Sequence, residues 1–363
     1  MRTQQLVLIS LIALSTSLEG WGTRQTPTSP PPNLNFPLND QQGWFTEESY
    51  ILWKPYLRDI DLGRREAFND PNAFTSFLTL KPKRPDFDWS SGFRVGLGRY
   101  LPNHDLWDID FYMTYLYVDA SRKVTPKDPD AVSPDFSPPL VIGSHTSSAR
   151  WSLNYYTWDL SLGRLFNLPY SISVHPFVGF RGALFDQDYK VRHKGDNIQP
   201  FEQTFFTDRF KGSNDYWGIG PRAGVDLSFE FEKCWALLGH LGGAILYGYY
   251  HVEEKIDMHS LQIFSMFTSD FNQFLRGKDH QYAIRTNLET SFGLGWETWL
   301  NNHTVRIAPS LVFEAGVWFA MNQFYDLQTV SGLLHNNITF VNTRHKHGNF
   351  VYSGFNFNLQ VDF

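Results

Sequence analysis

With 363 residues, a net charge of −6 and a single cysteine, the chain has no basic stripe for a nucleic-acid backbone, no internal disulfide framework and no cysteine zinc site. Aromatic residues make up 17% of it and charged residues 19%, yet mean hydropathy is negative, so apolar and polar residues must be interleaved. Beyond the extreme N-terminus no apolar run reaches the ~20 residues of a membrane-spanning helix.

Residues 1–20 read as an export signal. Arg2 supplies positive charge, residues 6–14 an apolar core too short to span a membrane, and Ser15 and Ser17 a small-residue cleavage region. Residues 21–43 include Pro30, Pro31 and Pro32 in a row and read as an extended linker, which leaves 44–363 as the folded domain.

From Trp44 onward the sequence alternates with period two, the mark of strands with two unlike faces. After a first strand over 44–56, Phe93, Val95 and Leu97 alternate with Arg94, Gly96 and Gly98. Ile109, Phe111 and Met113 then alternate with Asp108 and Asp110. The segment 151–166 changes phase near Tyr155 and Tyr156, which predicts a β-bulge. Strands over 172–189 and 217–231 follow. In the second, Ile219, Val225, Leu227 and Phe229 oppose Arg222, Asp226 and Glu230. A strand over 234–250 precedes one over 284–296, where Leu288, Phe292 and Leu294 oppose Arg285 and Glu289. In 305–319, Ile307, Leu311 and Phe313 oppose Arg306 and Glu314, and the alternation closes over 355–363. The total is about ten strands.

Short connections (102–105, 167–170, 232–233, 301–303) alternate with long polar ones (57–91, 120–146, 191–215, 252–280, 321–347). An outer-membrane barrel distributes its periplasmic turns and extracellular loops in this way. Two loop segments, 73–80 and 261–274, could raise the count to twelve strands. The second instead reads as a helix, because Leu261, Phe264, Phe267, Phe271 and Phe274 recur at spacings of three and four.

The predicted fold is all-β: a transmembrane antiparallel up-and-down β-barrel in the bacterial outer membrane. A secreted β-sandwich or lipocalin-like barrel also alternates, but it would have to pack the bulky Phe and Trp face inward and would overfill. Tryptophans near strand ends (Trp44, Trp53, Trp107, Trp151, Trp217, Trp235, Trp299) suit an interfacial girdle.

Arg94, Arg150, Arg222, Arg285 and Arg306, with Asp108, Asp110, Asp159, Asp226, Glu230, Glu289, Glu297 and Glu314, are predicted to project into one narrow, water-filled lumen. There they would set ion selectivity, or else pair across strands and fill a closed barrel. Cys234 falls at a periplasmic turn, where it could form a disulfide with another envelope protein or remain a free thiol. Asp186, Asp188 and His193 at a strand end invite comparison with omptin-like proteases, but no omptin motif is present and no enzyme activity is expected. His345, Lys346 and His347 make a basic loop tip, read as ordinary solvated loop. No metal or cofactor is expected.

The expected partners are outer-membrane lipid and lipopolysaccharide, with ions or small solutes as cargo. Other envelope proteins, a host surface and further copies of the chain remain open. Exposed aromatics such as Phe201, Phe205 and Phe206 leave room for an adhesin without an open channel.

Three segments carry a resemblance. Residues 48–55 (ESYILWKP) are similar to the opening strand of the major outer membrane protein family of Legionella and chlamydia-like bacteria. Residues 220–248 (GPRAGVDLSFEFEKCWALLGHLGGAILYG) resemble that family's central hairpin, and the last strand ends in an aromatic residue, Phe363. The resemblance spans nearly the whole mature chain. It implies an abundant envelope protein with porin-like activity and carries over no catalytic residue.

Overall fold

The computed structural model describes residues 43–68, 78–101, 106–125, 131–134, 144–199, 202–232, 234–264, 268–300, 304–331 and 338–363. The predicted export signal and, apart from Gly43, the predicted linker lie outside the described residues, as do the turns expected at 102–105 and 301–303.

In chain order the strands are β1 (Trp44–Leu57), β2 (Gly63–Phe68), β3 (Leu78–Lys83), β4 (Ser90–Tyr100), β5 (Trp107–Val124) and β6 (Ala131–Pro134). Then come β7 (Thr146–Arg164), β8 (Phe166–Leu168), β9 (Ile172–Gln199), β10 (Glu202–Glu232), β11 (Trp235–Phe264) and β12 (Thr268–Trp296). The last are β13 (Thr298–Leu300), β14 (Val305–Trp318), β15 (Tyr325–Ser331), β16 (Ile338–His345) and β17 (Phe350–Asp362).

Ten of these close a ring. β1, β4, β5, β7, β9, β10, β11, β12, β14 and β17 each pair antiparallel with the next, and β17 returns to β1. Closure leaves no sheet edge, which lipid would not tolerate. β8 and β13 are three-residue pieces beside the periplasmic turns, on β9 and β14. The segment 73–80 adds no barrel strand: its described end belongs to β3, which sits with β2 and β6 in a separate three-stranded sheet.

The wall is apolar outside. Phe180, Leu241, Ile284 and Phe292 are 59%, 60%, 64% and 68% exposed, and so large an apolar surface on a folded chain faces lipid rather than water. Towards the extracellular side this face ends in aromatic residues, with Trp217 opposite Tyr249 and Tyr249 opposite Tyr282. The next outward row, Asp186, Asp215, His251 and His280, is polar and marks the top of the band. Trp53 and Trp151 do not belong to this girdle, because both are fully buried inside.

Four strands rise well past the band. β9, β10, β11 and β12 run 28, 31, 30 and 29 residues, against the 9–11 or so that cross a bilayer. The long loops expected at 191–215 and 252–280 are therefore largely strand. No helix forms over the described part of 261–274: β11 continues to Phe264, β12 starts at Thr268, and Leu261 pairs with Asp270. The three-and-four spacing of Leu261, Phe264, Phe271 and Phe274 spans two antiparallel strands rather than one helical face, and Phe267 lies outside the described residues.

The predicted bulge near Tyr155 is also absent, since β7 keeps unbroken register with β5 and β9. Tyr155 points inward and Tyr156 outward, and the inner face itself changes from Asp159 and Ser161 to Tyr155, Leu153 and Trp151. The hydrophobic core lies inside the barrel. Segments following β1 and β14 tuck into it: Ile60 and Met321 are fully buried, Tyr189 Oη donates to the Ile60 carbonyl at 2.9 Å, and Asn214 Nδ2 donates to the Met321 carbonyl at 3.1 Å.

Candidate functional site

Inward positions of the membrane-spanning half carry a chain of charges that crosses the lumen. Arg181 on β9 reaches Asp159 on β7 (Nε to Oδ1, 2.6 Å) and Glu289 on β12 (Nη1 to Oε2, 2.7 Å). Arg222 on β10 joins the same carboxylate at 2.8 Å. His240 Nδ1 meets Asp226 at 2.6 Å, and His175 links Asp226 (Nδ1, 3.2 Å) to Asp108 (Nε2, 2.8 Å). His175 thus stands between two carboxyl groups, one at each ring nitrogen. Forked pairing of Arg181 satisfies groups that could not stay charged unpaired in this interior. Across the barrel, Arg94 on β4 forms a second bridge to Glu314 on β14 at 3.2 Å.

Above these bridges the interior is aromatic. Tyr155 contacts Trp53 (6.5 Å between centroids), Phe185 (5.0 Å), Trp318 (6.2 Å), Phe350 (5.9 Å) and Tyr352 (6.4 Å), rings carried by β1, β9, β14 and β17. Trp53 stacks on Tyr352 at 4.0 Å, and its Nε1 donates to Asn356 Oδ1 at 2.7 Å. Trp53 and Trp318 are 0% exposed, Tyr352 1% and Tyr155 2%. Inner-face glycines make room for such rings: a methyl at Gly316 would overlap the Tyr352 ring, and one at Gly218 the Tyr216 ring. The water-filled lumen expected from the sequence is thus occupied at this level by a packed layer.

The structure brings Arg94, Asp108, Asp159, Arg222, Asp226, Glu289 and Glu314 into these cross-lumen bridges. Asp110 is buried beside Asp108, Arg285 Nε donates to Tyr250 Oη at 3.0 Å, and Glu230 lies half-buried on the inner face. Arg306 pairs with Asp362 (3.0 Å) and Glu297 (3.4 Å) at the periplasmic mouth. Arg150 is a correction. It sits opposite Lys190 on the outer surface and pairs with Asp119 at 2.7 Å, because the unbroken register of β7 puts Trp151, not Arg150, inside.

Arg181, His175 and His240, missed in the sequence, alternate with Phe180 and Val178 or with Leu241 and are legible once each strand's phase is set. Asp186 and Asp188 point outward while His193 points inward onto Ser147 (2.8 Å), so these three form no common site. Cys234 is a free, half-exposed thiol at the β10–β11 turn. His347 Nδ1 accepts from Gln323 Nε2 at 3.3 Å, and Lys346 N donates to the Phe324 carbonyl.

Two buried groups in the part of the sheet above the band titrate in opposite senses. Burial pushes the Asp208 carboxyl up to about 7 and the His193 imidazole down to about 4. A raised acid favours folding fully below its unfolded pKa near 3.8, and that contribution fades as pH rises through 7. A depressed base favours folding fully above 6.5, and that contribution fades as pH falls through 4. Between pH 4 and 6.5 the two slopes oppose. Asp208→Asn is therefore expected to slow proteolysis of the β9–β10 extension at pH 8, by an amount on the order of 2–4 kcal/mol in local opening, and to leave it unchanged at pH 4. Limited proteolysis across that range is the check.

The family described as the Legionella pneumophila major outer membrane protein precursor matches residues 39–363. The chain belongs to that family. It is an outer-membrane protein, as the family and the lipid-facing wall both require. Among solved structures it is similar to the Escherichia coli outer membrane protease OmpT, at 11% identity over 91% of this chain and 99% of that one, TM-score 0.34. A Pseudomonas aeruginosa FadL homologue (8%, 89% and 90%, 0.25) and the transport unit of the Escherichia coli autotransporter AIDA-I (10%, 90% and 92%, 0.24) are further likenesses. At such scores they carry no functional argument. No curated protein sequence matches the chain.

Proposed function

We propose that this member of the family is a structural envelope barrel that displays its extracellular sheet and loops, and whose lumen is shut in the resting state. The reading rests on one observation: the ring of Tyr155 touches rings from four other strands across the barrel, so a packed aromatic layer stands in any axial path. An apolar constriction without water is a barrier to ions and to sugars alike.

Porin-like diffusion is the second reading, favoured by the charged inner face below that layer, and it requires Tyr155 and its neighbours to move aside. The charged residues that do face the lumen, such as Arg94, Arg222, Glu289 and Glu314, then act as internal braces in the closed state. Liposomes containing the purified protein are expected to swell in isosmotic small sugars no faster than protein-free liposomes. Swelling at the rate of an open porin would overturn the proposal.

A further inference from the structure

The outward face of the sheet above the lipid band carries an arrangement that folding alone does not explain. Arg150 on β7 lies opposite Lys190 on β9, Lys190 opposite Lys211 on β10, Lys211 opposite Lys255 on β11, and Lys255 opposite Arg276 on β12. Five cations thus stand in one unbroken register row, about 19 Å long at ~4.8 Å per strand. Like charges directly opposite each other destabilise a sheet. Arg150 is relieved by Asp119, and Lys255 and Arg276 share Glu253 at 2.9 and 2.6 Å. Among the described residues no ion pair reaches Lys190 or Lys211, both exposed at the centre of the row. Arg192 and Arg209, also opposite each other, add to the field one row further out.

Position decides what such a row meets. Lys211 lies six residues beyond Trp217, Lys255 six beyond Tyr249, and Arg276 six before Tyr282, the aromatic edge of the band. Six residues of strand rise about 20 Å, or about 15 Å along the membrane normal at the usual tilt. A phospholipid headgroup reaches only about 5–7 Å beyond the hydrocarbon, so the row stands beyond that layer. Just past it, on the same part of the sheet, is a hollow of about 380 Å³ lined by Phe205, Thr207, Arg209, Asp257, His259 and Asn272, among others. An aromatic ring flanked by polar and charged groups suits a sugar.

We propose that this row is a binding site for the acidic sugar headgroup of an outer-leaflet glycolipid, lipopolysaccharide, whose phosphate and carboxylate groups pair with Lys190, Lys211 and their neighbours while a sugar ring enters the hollow. The site lies on the outside of the barrel and is independent of whether the lumen conducts. Guanidinium and ammonium groups spaced across a rigid sheet match a headgroup with several anions better than they match one free ion.

The test uses the full chain, purified free of lipopolysaccharide and folded in neutral detergent. Added lipopolysaccharide is expected to bind, to lose affinity steeply with salt, and to bind at least tenfold more weakly to the triple variant Lys190→Ser, Lys211→Ser, Lys255→Ser. Lys54→Ser, on the outer face of β1 and away from the row, should bind like the parent. Removing like charges should not impair folding, which the heat-dependent gel shift verifies, and the single Lys211→Glu variant gives a second reading of the same site. Vesicles of phosphatidylglycerol, inorganic phosphate and polyglutamate serve as comparison probes and should bind weakly and equally to parent and triple variant. Undiminished lipopolysaccharide binding by the triple variant, or row-dependent binding of any comparison probe as tight as that of lipopolysaccharide, would overturn the assignment.

Discussion

Tyr155→Ala combined with Trp318→Ala is expected to turn a silent barrel into a conducting one. These two rings bridge the lumen: Tyr155 meets Trp53, Phe350 and Tyr352 on the far side, and Trp318 meets Phe185 at 5.0 Å. Removing both opens the apolar layer, and the charged layer beneath it can hydrate in a way that stacked rings cannot. Each large-to-small change also costs stability, about 3–5 kcal/mol for a buried aromatic, so folding of the double variant is checked by its heat-dependent gel shift. Tyr352→Phe, which keeps ring volume, should fold and remain silent. Discrete current steps are expected from the double variant alone. A folded double variant with no current would mean that another element closes the lumen, the tucked segments around Ile60 and Met321 being the first candidates.

The second large effect lies in the charge chain. Arg181→Leu leaves Asp159 and Glu289 buried with Arg222 as their remaining arginine partner, at 3.9 and 2.8 Å. Breaking a buried pair by removing one member costs about 3–5 kcal/mol, because the orphaned carboxylates cannot return to water. The temperature at which the barrel unfolds on a gel should fall sharply. Arg181→Lys keeps the charge but not the fork that meets two carboxylates, so it should fall between the two. An Arg181→Leu barrel as heat-resistant as the parent would show that the interior is hydrated enough to solvate both acids.

What could be read from the sequence was the wall, and what could not was its contents. Segments such as 217–231 and 284–296 alternate cleanly because one face meets lipid and the other a polar interior, and there both strand and facing came out right. Higher up, the contrast between faces disappears. Lys190 and Arg192 point to solvent while Gln187 and His193 point inward, so both faces of β9 look polar and the segment reads as loop. On β7 the inner face turns apolar over Tyr155, Leu153 and Trp151, so the sequence pattern reads as slipped by one, and the imagined bulge carried Arg150 to the wrong side. Inner-face glycines leave room for rings: Tyr352 of β17 takes the space at Gly316 and Tyr216 of the same strand that at Gly218, a fit that only the folded inner face reveals.

The claim that the resting barrel is shut is tested most directly by single-channel recording of the wild-type protein in a planar bilayer. A flat baseline is expected over the voltages at which an open porin of this size would conduct. Steady, ion-selective openings whose selectivity shifts in Arg222→Glu or Glu289→Lys would contradict it and place the interior charges on an open pore.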